Sequence, residues 1–269
     1  MEAPAAPSGY VRACHTSQHF KQVARAVSER KGYLDADTTV SPRSTDAALR
    51  AAGGACLGVD AVMRGEVRNA FVPARPPGHH ATGEHSMGFC LFNSRLRLVA
   101  LSSTTPRWSG WQLLIGTCIT ATARRNLLRR SFRLLLLNSS IPLVSGNGAR
   151  GETGIGRGRN TTLNVPVRAK TPAREHVRMY DAAVEEISVN LKPDLILISA
   201  GFDAHESDPL GQLRLQDDDY VGMTRTIINW AQATCAGRIV SCLEGGYNLG
   251  TLGGSVRAHV KALCADSAN

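Results

Sequence analysis

Aromatic residues are scarce in this chain of 269 residues, of which 5% are Phe, Trp or Tyr. The chain holds seven cysteines, which are scattered along the sequence. The cysteine number is odd and no two cysteines are spaced as C-x-x-C, which argues against a disulfide framework and a cysteine zinc site. The first twenty residues show no secretory signal, and the apolar run FRLLLLNSSIPLV is too short to span a bilayer. We therefore expect an intracellular protein, with nucleus, cytoplasm and organelle left open.

Acidic residues are absent from residues 94–147, a segment that also lacks lysine but holds eight arginines. The formal net charge of +9 would suggest a nucleic-acid or membrane partner. Setting these eight arginines aside reduces the 31 basic residues to 23, against 22 acidic ones, so the rest of the chain is near neutral. The segment also lacks the interleaved aromatic residues that stack on bases. We therefore expect neither direct nucleic-acid binding nor membrane binding.

Outside this segment the hydrophobic pattern alternates between buried strands and amphipathic helices. Helices are predicted in RSTDAALRAAGGACLGVDAVMRG, PAREHVRMYDAAVEEISVNLKP and DDDYVGMTRTIINWAQATC. VRNAFVPARPPG is predicted to be a strand that runs into a loop, and DLILISAGFDAH a buried strand. GRIVSCLEGGYNLGTLGGSVRAHVKALC is predicted to form a buried strand, a glycine-rich loop and a helix. Repetition of strand, loop and helix predicts a single α/β domain over residues 1–269, with a mostly parallel sheet flanked by helices. Sites in such folds form at the carboxyl ends of the strands.

Residues 94–147 do not continue this alternation. The segment holds Ser/Thr clusters, arginine pairs and a run of four leucines, without sustained helical or strand periodicity. We expect it to be irregular and to disrupt the sheet. One interpretation is a disordered basic insert.

Three stretches that follow predicted strands carry side chains suited to catalysis. His79 and His80 stand in tandem, and neutral imidazoles can move protons near pH 7. Asp203 follows a buried strand directly, where a carboxylate needs a cation or hydrogen bonds. In LEGGYNL, two glycines allow a sharp turn that presents Tyr247 to a cleft, where its hydroxyl could stabilise an oxyanion. Taken singly, each has a structural alternative: surface histidines, a capping aspartate and a core tyrosine.

Taken together, these stretches resemble one family, the zinc-dependent histone deacetylases and their acetylpolyamine-hydrolysing relatives, and most of all its class II branch. The similar blocks are RPPGHHA with GFCLFN, ETGIGRG with TLNVPV, KPDLILISAGFDAHESDPLG, CLEGGYNL and the early LDADTTVSPRSTDAALRAAGGA. They cover roughly residues 20–93 and 148–265, in order. The resemblance implies an arginase/deacetylase-like fold, with the first strand and loop of the family domain missing.

The resemblance also implies residue roles. His80 would be the general base and acid, with His79 as its electrostatic partner. Asp203 would be a zinc ligand, and Tyr247 would polarise the amide carbonyl. Gly88 and Phe89 would line the acyl-lysine channel, and Gly245 would contact substrate. The family's other two zinc ligands, and further partners for the tandem histidines, lie in a block like DWDVHHGNGT that this chain lacks.

The missing block can be found in another reading frame. One permitted coding of LIGTCITATAR, Leu114 to Arg124, reads DWDVHHGNGT when translation starts two bases later. In the same frame WSGWQL permits ERVAIV, and in the third frame SSIPLVSGNG permits QAYPWYPGTG. We infer that residues 94–147 are a frameshifted translation, from a gene-model error, a sequencing error or a true lesion.

The leading hypothesis is therefore a zinc-dependent amide hydrolase that removes acetyl groups from lysine side chains of histones or other proteins. Its activity is expected to be impaired in the chain as written, because two of three zinc ligands are missing. His205 or His85 could stand in as ligands, but nothing in the sequence supports this. The alternatives are a catalytically inactive deacetylase-like protein and a deacetylase of acetylpolyamines or other small amides. A basic nucleic-acid-binding protein is the least favoured interpretation.

Overall fold

The structure is a computed structural model that describes residues 2–93, 111–116, 132–139, 149–153, 159–160 and 162–265. Its helices are α1 (Ser8–Cys14), α2 (Ser17–Ser28), α3 (Ser44–Met63), α4 (Ala173–Ser188), α5 (Asp217–Cys235) and α6 (Leu249–Ala265). Its strands are β1 (Asn69–Val72), β2 (Trp111–Gly116), β3 (Phe132–Ser139), β4 (Thr162–Val167), β5 (Pro193–Ala200) and β6 (Ile239–Leu243). No helix within these ranges is long and apolar enough to cross a membrane.

The strands form one sheet in the order β1-β6-β5-β2-β3-β4, and every neighbouring pair is parallel. This confirms the predicted α/β class with a parallel sheet flanked by helices. All carboxyl ends of the strands lie at one edge, so loops that are far apart in the sequence meet there.

Strand β5 shows why both faces of the sheet must be covered. Leu195 and Leu197 lie in one apolar cluster with Val59 and Val62 of α3. Ile196 and Ile198 lie in a second cluster with residues of α4 and α5, including Tyr180 and Ile227. Successive side chains of a strand point to opposite faces, so an unbroken apolar run needs a helix on each side.

The helices that the sequence predicts begin and end near the expected signals. Helix α5 starts with a capping box between Gln216 and Asp219 and has three acidic residues in its first turn. It ends at Ala236 in the left-handed conformation, with φ of 52°. Helix α4 ends at Ser188, before Pro193, as predicted. Helices α1 and α2 were not among the predicted elements.

The expectation that residues 94–147 are irregular is wrong for two stretches. The backbone of β2 pairs with β5 on one side and with β3 on the other, in the middle of the sheet. Both stretches carry apolar runs, WQLLIG and RLLLL, and a central parallel strand needs apolar residues on both faces. The rest of the segment lies outside the described residues, and the reading-frame hypothesis stays a prediction.

Candidate active site

The candidate residues lie on loops that follow three adjacent strands. His79 and His80 follow β1, Tyr247 follows β6, and Asp203 follows β5, and these strands are neighbours in the sheet. Both histidines and Asp203 are buried, with 5%, 5% and 2% of their surface exposed. The parallel topology therefore brings together three sequence-distant stretches at one edge of the sheet.

The tandem histidines are packed against each other and held by a buried carboxylate. Their ring centroids are 4.0 Å apart. His79 Nδ1 lies 2.9 Å from Oε2 of Glu244, which is 2% exposed. Burial of the imidazole lowers the pKa of His79, but the adjacent Glu244 carboxylate and Cys90 together more than offset this, so the pKa is raised overall. Glu244 was not among the residues that the sequence predicted to have a role in the site.

A usable signal for Glu244 was present in the sequence. Like Asp203, it is an acidic residue that directly follows a buried apolar strand, Ile239–Leu243. A carboxylate in that position must have hydrogen-bond donors or a cation close by. What the sequence could not show is which donors those are, because they belong to the loop after β1 and to β5.

His80 packs against the backbone of the loop that carries Gly88 and Phe89. A Cβ atom added at Gly88 would lie 2.5 Å from Cδ2 of His80, so this position has no room for a side chain. Both Gly88 and Phe89 adopt left-handed conformations, with φ of 56° and 65°. Such a conformation is unusual for a bulky residue and needs support from its surroundings.

That support comes from the loop before α3. The Asp37 carboxylate accepts a hydrogen bond of 3.1 Å from the Gly88 N–H, and the Thr38 hydroxyl oxygen accepts one of 3.2 Å from the Phe89 N–H. Thr38 is fully buried. Asp37 and Thr38, which the sequence reasoning did not single out, therefore fix the backbone that presents the Phe89 ring.

The Tyr247 ring packs edge-to-face against the Phe89 ring. Their ring centroids are 5.4 Å apart with an interplanar angle of 61°. The Tyr247 N–H donates a 2.7 Å hydrogen bond to the Asp208 carboxylate, and the Arg75 guanidinium lies 5.8 Å from the centre of the Tyr247 ring. The two rings are part of a cleft of about 470 Å³, which is also lined by Thr39, Ser44, Ala47, Arg75, Pro76, Pro77 and Leu91.

Asp203 lies directly against the backbone of Gly245. A Cβ atom at Gly245 would lie 2.3 Å from Oδ2 of Asp203, so only glycine fits there. The Phe202 N–H also donates to the Gly245 carbonyl over 3.0 Å. The structure thus brings Gly245 next to the predicted zinc ligand, and its predicted contact with substrate stays a prediction.

The side chains of the described residues do not build the three-ligand zinc site that the family resemblance implies. Across the described ranges, no group of three His, Cys, Asp or Glu side chains could hold a metal ion. Residues outside these ranges could add only Cys118 and Asp266 to that set of side chains. Nδ1 of His205 accepts the Ser207 N–H at 3.1 Å, and His85 is exposed. The side chains of the described residues therefore do not fit a zinc ion held by three protein ligands.

The structure is an α/β protein with a parallel sheet and buried tandem histidines at its carboxyl edge. Comparison with known proteins identifies its family. A sequence profile described as the histone deacetylase domain matches residues 1–102 and 139–263. The fold matches the crystal structure of the HDA15 HD domain with a TM-score of 0.87 and 28% identity, over 98% of this chain and 74% of that one. The chain belongs to the histone deacetylase family.

Curated relatives support the same assignment. A probable deacetylase of Archaeoglobus fulgidus is 32% identical over 87% of this chain and 65% of its own length. Histone deacetylase 15 of Arabidopsis thaliana is 31% identical over 94% of this chain and 46% of its own. A histone deacetylase-like amidohydrolase of Pseudomonas aeruginosa is 30% identical over 88% and 62%. The chain thus spans less than two thirds of each of these three relatives.

Proposed function

We propose that this protein is a lysine deacetylase by descent, whose chain as written binds acetyl-lysine but hydrolyses it slowly. The observation that carries the proposal is the buried His79–His80 pair, which stands beside the Phe89–Tyr247 cleft at the carboxyl edge of the sheet. The acyl-lysine chain would lie in the cleft of about 470 Å³ that both rings line, with its amide towards His80, which packs against Gly88 beside Phe89. Histones or other proteins with acetylated lysine are the proposed substrates.

The residues of this chain supply the proton-transfer half of amide hydrolysis. His80 would take a proton from the attacking water and return it to the leaving amine as the carbon–nitrogen bond breaks. His79 would balance the charge, and the Tyr247 hydroxyl would donate to the developing oxyanion. In the family, a zinc ion activates the water and polarises the carbonyl. The side chains of the described residues do not fit that ion. Without activation of the water and polarisation of the carbonyl, the chain as written would hydrolyse the amide slowly.

Binding and turnover can be tested separately. A fluorescent peptide with one acetyl-lysine should bind more tightly than the same peptide with free lysine, as measured by anisotropy. Phe89→Ala should weaken the preference at least tenfold, whereas Tyr33→Ala, at an aromatic residue that is 64% exposed, should leave it unchanged. Acetylpolyamine competitors distinguish the small-amide alternative. Equal binding of both peptides would contradict the proposal, and so would near-stoichiometric zinc after dialysis with turnover that His80→Ala abolishes.

We also propose an intracellular location, in the nucleus or the cytoplasm. Within the described ranges, no disulfide joins the six cysteines. Reduced thiols are typical of compartments that glutathione and thioredoxin keep reducing. Imaging of the tagged full chain tests this, and a secreted product would contradict it.

A further inference from the structure

Glu244 is buried at the end of β6 and is surrounded by hydrogen-bond donors from two other loops and strands. Its Oε2 accepts from the Gly78 N–H at 2.8 Å and from the His79 N–H at 3.3 Å, and it lies 2.9 Å from His79 Nδ1. Its Oε1 accepts from the Ser199 hydroxyl at 3.2 Å. Four donors compensate the cost of burying a carboxylate, so the side chain has a single well-defined position.

This arrangement determines which nitrogen of His79 carries a proton. The Glu244 carboxylate can only accept, so the 2.9 Å contact requires a hydrogen on Nδ1 of His79. Glu244 thereby holds His79 through both its backbone N–H group and its ring Nδ1 atom. Since the His80 ring is packed 4.0 Å away, the orientation of His79 also limits that of His80.

We propose that Glu244 is a positioning residue, which holds a proton on Nδ1 of His79 and fixes the orientation of that ring. The catalytic consequence rests on the proposed function, but the hydrogen bond itself does not. The proposal explains how the histidine half of the site is assembled in a chain whose sequence holds no DWDVHHGNGT block. The hydrogen bonds described above come from the loop after β1 and from β5, and these residues lie outside residues 94–147.

The backbone of the same residue extends its influence to Tyr247. The Glu244 carbonyl accepts a 2.6 Å hydrogen bond from Arg75, whose guanidinium also lies over the Tyr247 ring. This contact uses the main chain, so it survives replacement of the Glu244 side chain. Substitution of the side chain therefore leaves the Arg75 contact in place and acts on His79, Gly78 and Ser199.

Nuclear magnetic resonance of the full chain, labelled with ¹⁵N at histidine, tests the proposal without substrate. In the native protein the His79 resonances, assigned by their loss in His79→Gln, should show a proton on Nδ1 that exchanges slowly with water. Glu244→Gln keeps the shape but replaces a charged acceptor, so the Nδ1 proton should shift upfield and exchange at least tenfold faster. Glu66→Gln, at an exposed glutamate on the same protein, should change neither property.

Two results would overturn the inference. One is a native His79 that is neutral and carries its proton on Nε2. This result is measured on the native protein and does not depend on the folding of a variant. The other is an unchanged His79 signature in a folded Glu244→Gln protein, with near-native circular dichroism. A protein that shows the predicted signature yet discriminates no acetylated peptide would contradict the proposed function and leave the role of Glu244 standing.

Discussion

At the scale of single residues, Gly88 is the position where the smallest change should disturb the site. An added methyl group would collide with the His80 ring and would also sit on a backbone with positive φ. We expect Gly88→Ala to destabilise the protein by roughly 2–5 kcal/mol, from the left-handed penalty and the steric overlap together. Urea unfolding measures the loss, and the ¹⁵N signals of His80 should shift.

Gly65→Ala is the matched control for this prediction. Gly65 also has a positive φ, of 73°, but a Cβ atom there meets nothing within 4 Å. Its substitution should cost only the conformational penalty, about 1–2 kcal/mol. Equal losses of unfolding free energy at the two positions would mean that the His80 ring moves aside freely. The close packing of His80 against Gly88 would then not be rigid.

Asp208 should matter for the placement of Tyr247 rather than for chemistry. Its Oδ2 accepts the Tyr247 N–H, and its Oδ1 accepts the Leu210 and Gly211 N–H groups. An asparagine retains only one acceptor oxygen, so Asp208→Asn leaves at least one donor unsatisfied. We expect a loss of about 1–3 kcal/mol in urea unfolding. Glu206→Gln, two residues away, should change stability by less than about 0.5 kcal/mol, and a similar loss there would point to a general effect of charge.

At the scale of secondary-structure elements, β2 determines what stands beside Asp203. Gly116, the last residue of β2, pairs in register with Ser199 of β5, and Asp203 lies four residues beyond Ser199. In the chain as written Thr117 and Cys118 follow β2 in the sequence, whereas the alternative frame encodes its aspartate and histidine at about these positions.

Replacement of residues 94–147 by the product of the alternative frames should therefore restore the enzyme. The restored Asp and His would join Asp203 as metal ligands, and zinc content after dialysis should approach one ion per chain. Deacetylase activity should rise by orders of magnitude in the same preparation. A repaired protein that folds but hydrolyses neither acetyl-lysine nor acetylpolyamine substrates would contradict the proposed activity.

Single substitutions within the repaired protein separate metal binding from catalysis. Asp203→Ala should lose both zinc and activity. Tyr247→Phe should keep zinc but lower kcat by about 10²-fold or more, because its hydroxyl acts on the developing oxyanion. A parallel loss of zinc in Tyr247→Phe, measured by atomic emission, would show that the tyrosine supports the metal site instead.

At the scale of the whole molecule, buried neutral histidines should make the fold sensitive to mild acid. Burial lowers the pKa of His15, His176 and His259 to about 4. For His259 the hydrogen bonds agree: Thr224 donates to a carbonyl and so accepts from Nδ1, and Ser241 donates to Nε2. Each ring is neutral in the folded protein and protonated in the unfolded chain below about pH 6.5.

Stability should therefore fall as the pH drops from 6.5 towards 4 and change no further from this cause below 4. Each of the three histidines contributes up to about 1.4 kcal/mol per pH unit. His79 acts in the opposite direction: its raised pKa gives stability that is complete below pH 6.5 and is lost as the pH rises through the folded value. From pH 7.5 to 5.5 we expect a net loss of roughly 3 kcal/mol in urea unfolding. A flat profile would contradict the burial of these neutral rings.

His176 offers the sharpest check of that pH dependence. It is 1% exposed, and neither ring nitrogen has a hydrogen-bond partner among the described residues. His176→Leu should reduce the loss between pH 7.5 and 5.5 by about 1.4 kcal/mol. His85→Gln, at an exposed position, should leave the profile unchanged. An unaltered pH profile in His176→Leu would mean that this ring is protonated in the folded protein.

Much of the fold could be predicted from the sequence because its signals are local. The apolar run of β5 and the acidic start of α5 depend on residues that are neighbours in the chain. The prediction that His79, Asp203 and Tyr247 each follow a strand rested on the same kind of local signal. The positions of β2 and β3 were missed because apolar runs within an arginine-rich segment carry no clear period. Their place in the sheet depends on pairing with β5 and β4, which the local pattern does not contain.

The sequence by itself determined the chemical types that reach the edge of the sheet, since strand ends and glycine turns are local features. Only the tertiary structure decided which of these groups touch. The contact of His79 with Glu244 spans 165 positions, and that of Gly88 with Asp37 spans 51. The first contact follows from the parallel order β1-β6-β5, which places three carboxyl ends side by side, and the second from the packing of the loop before α3 against the loop after β1. A strand's own sequence specifies its burial, but not the identity of the strands beside it.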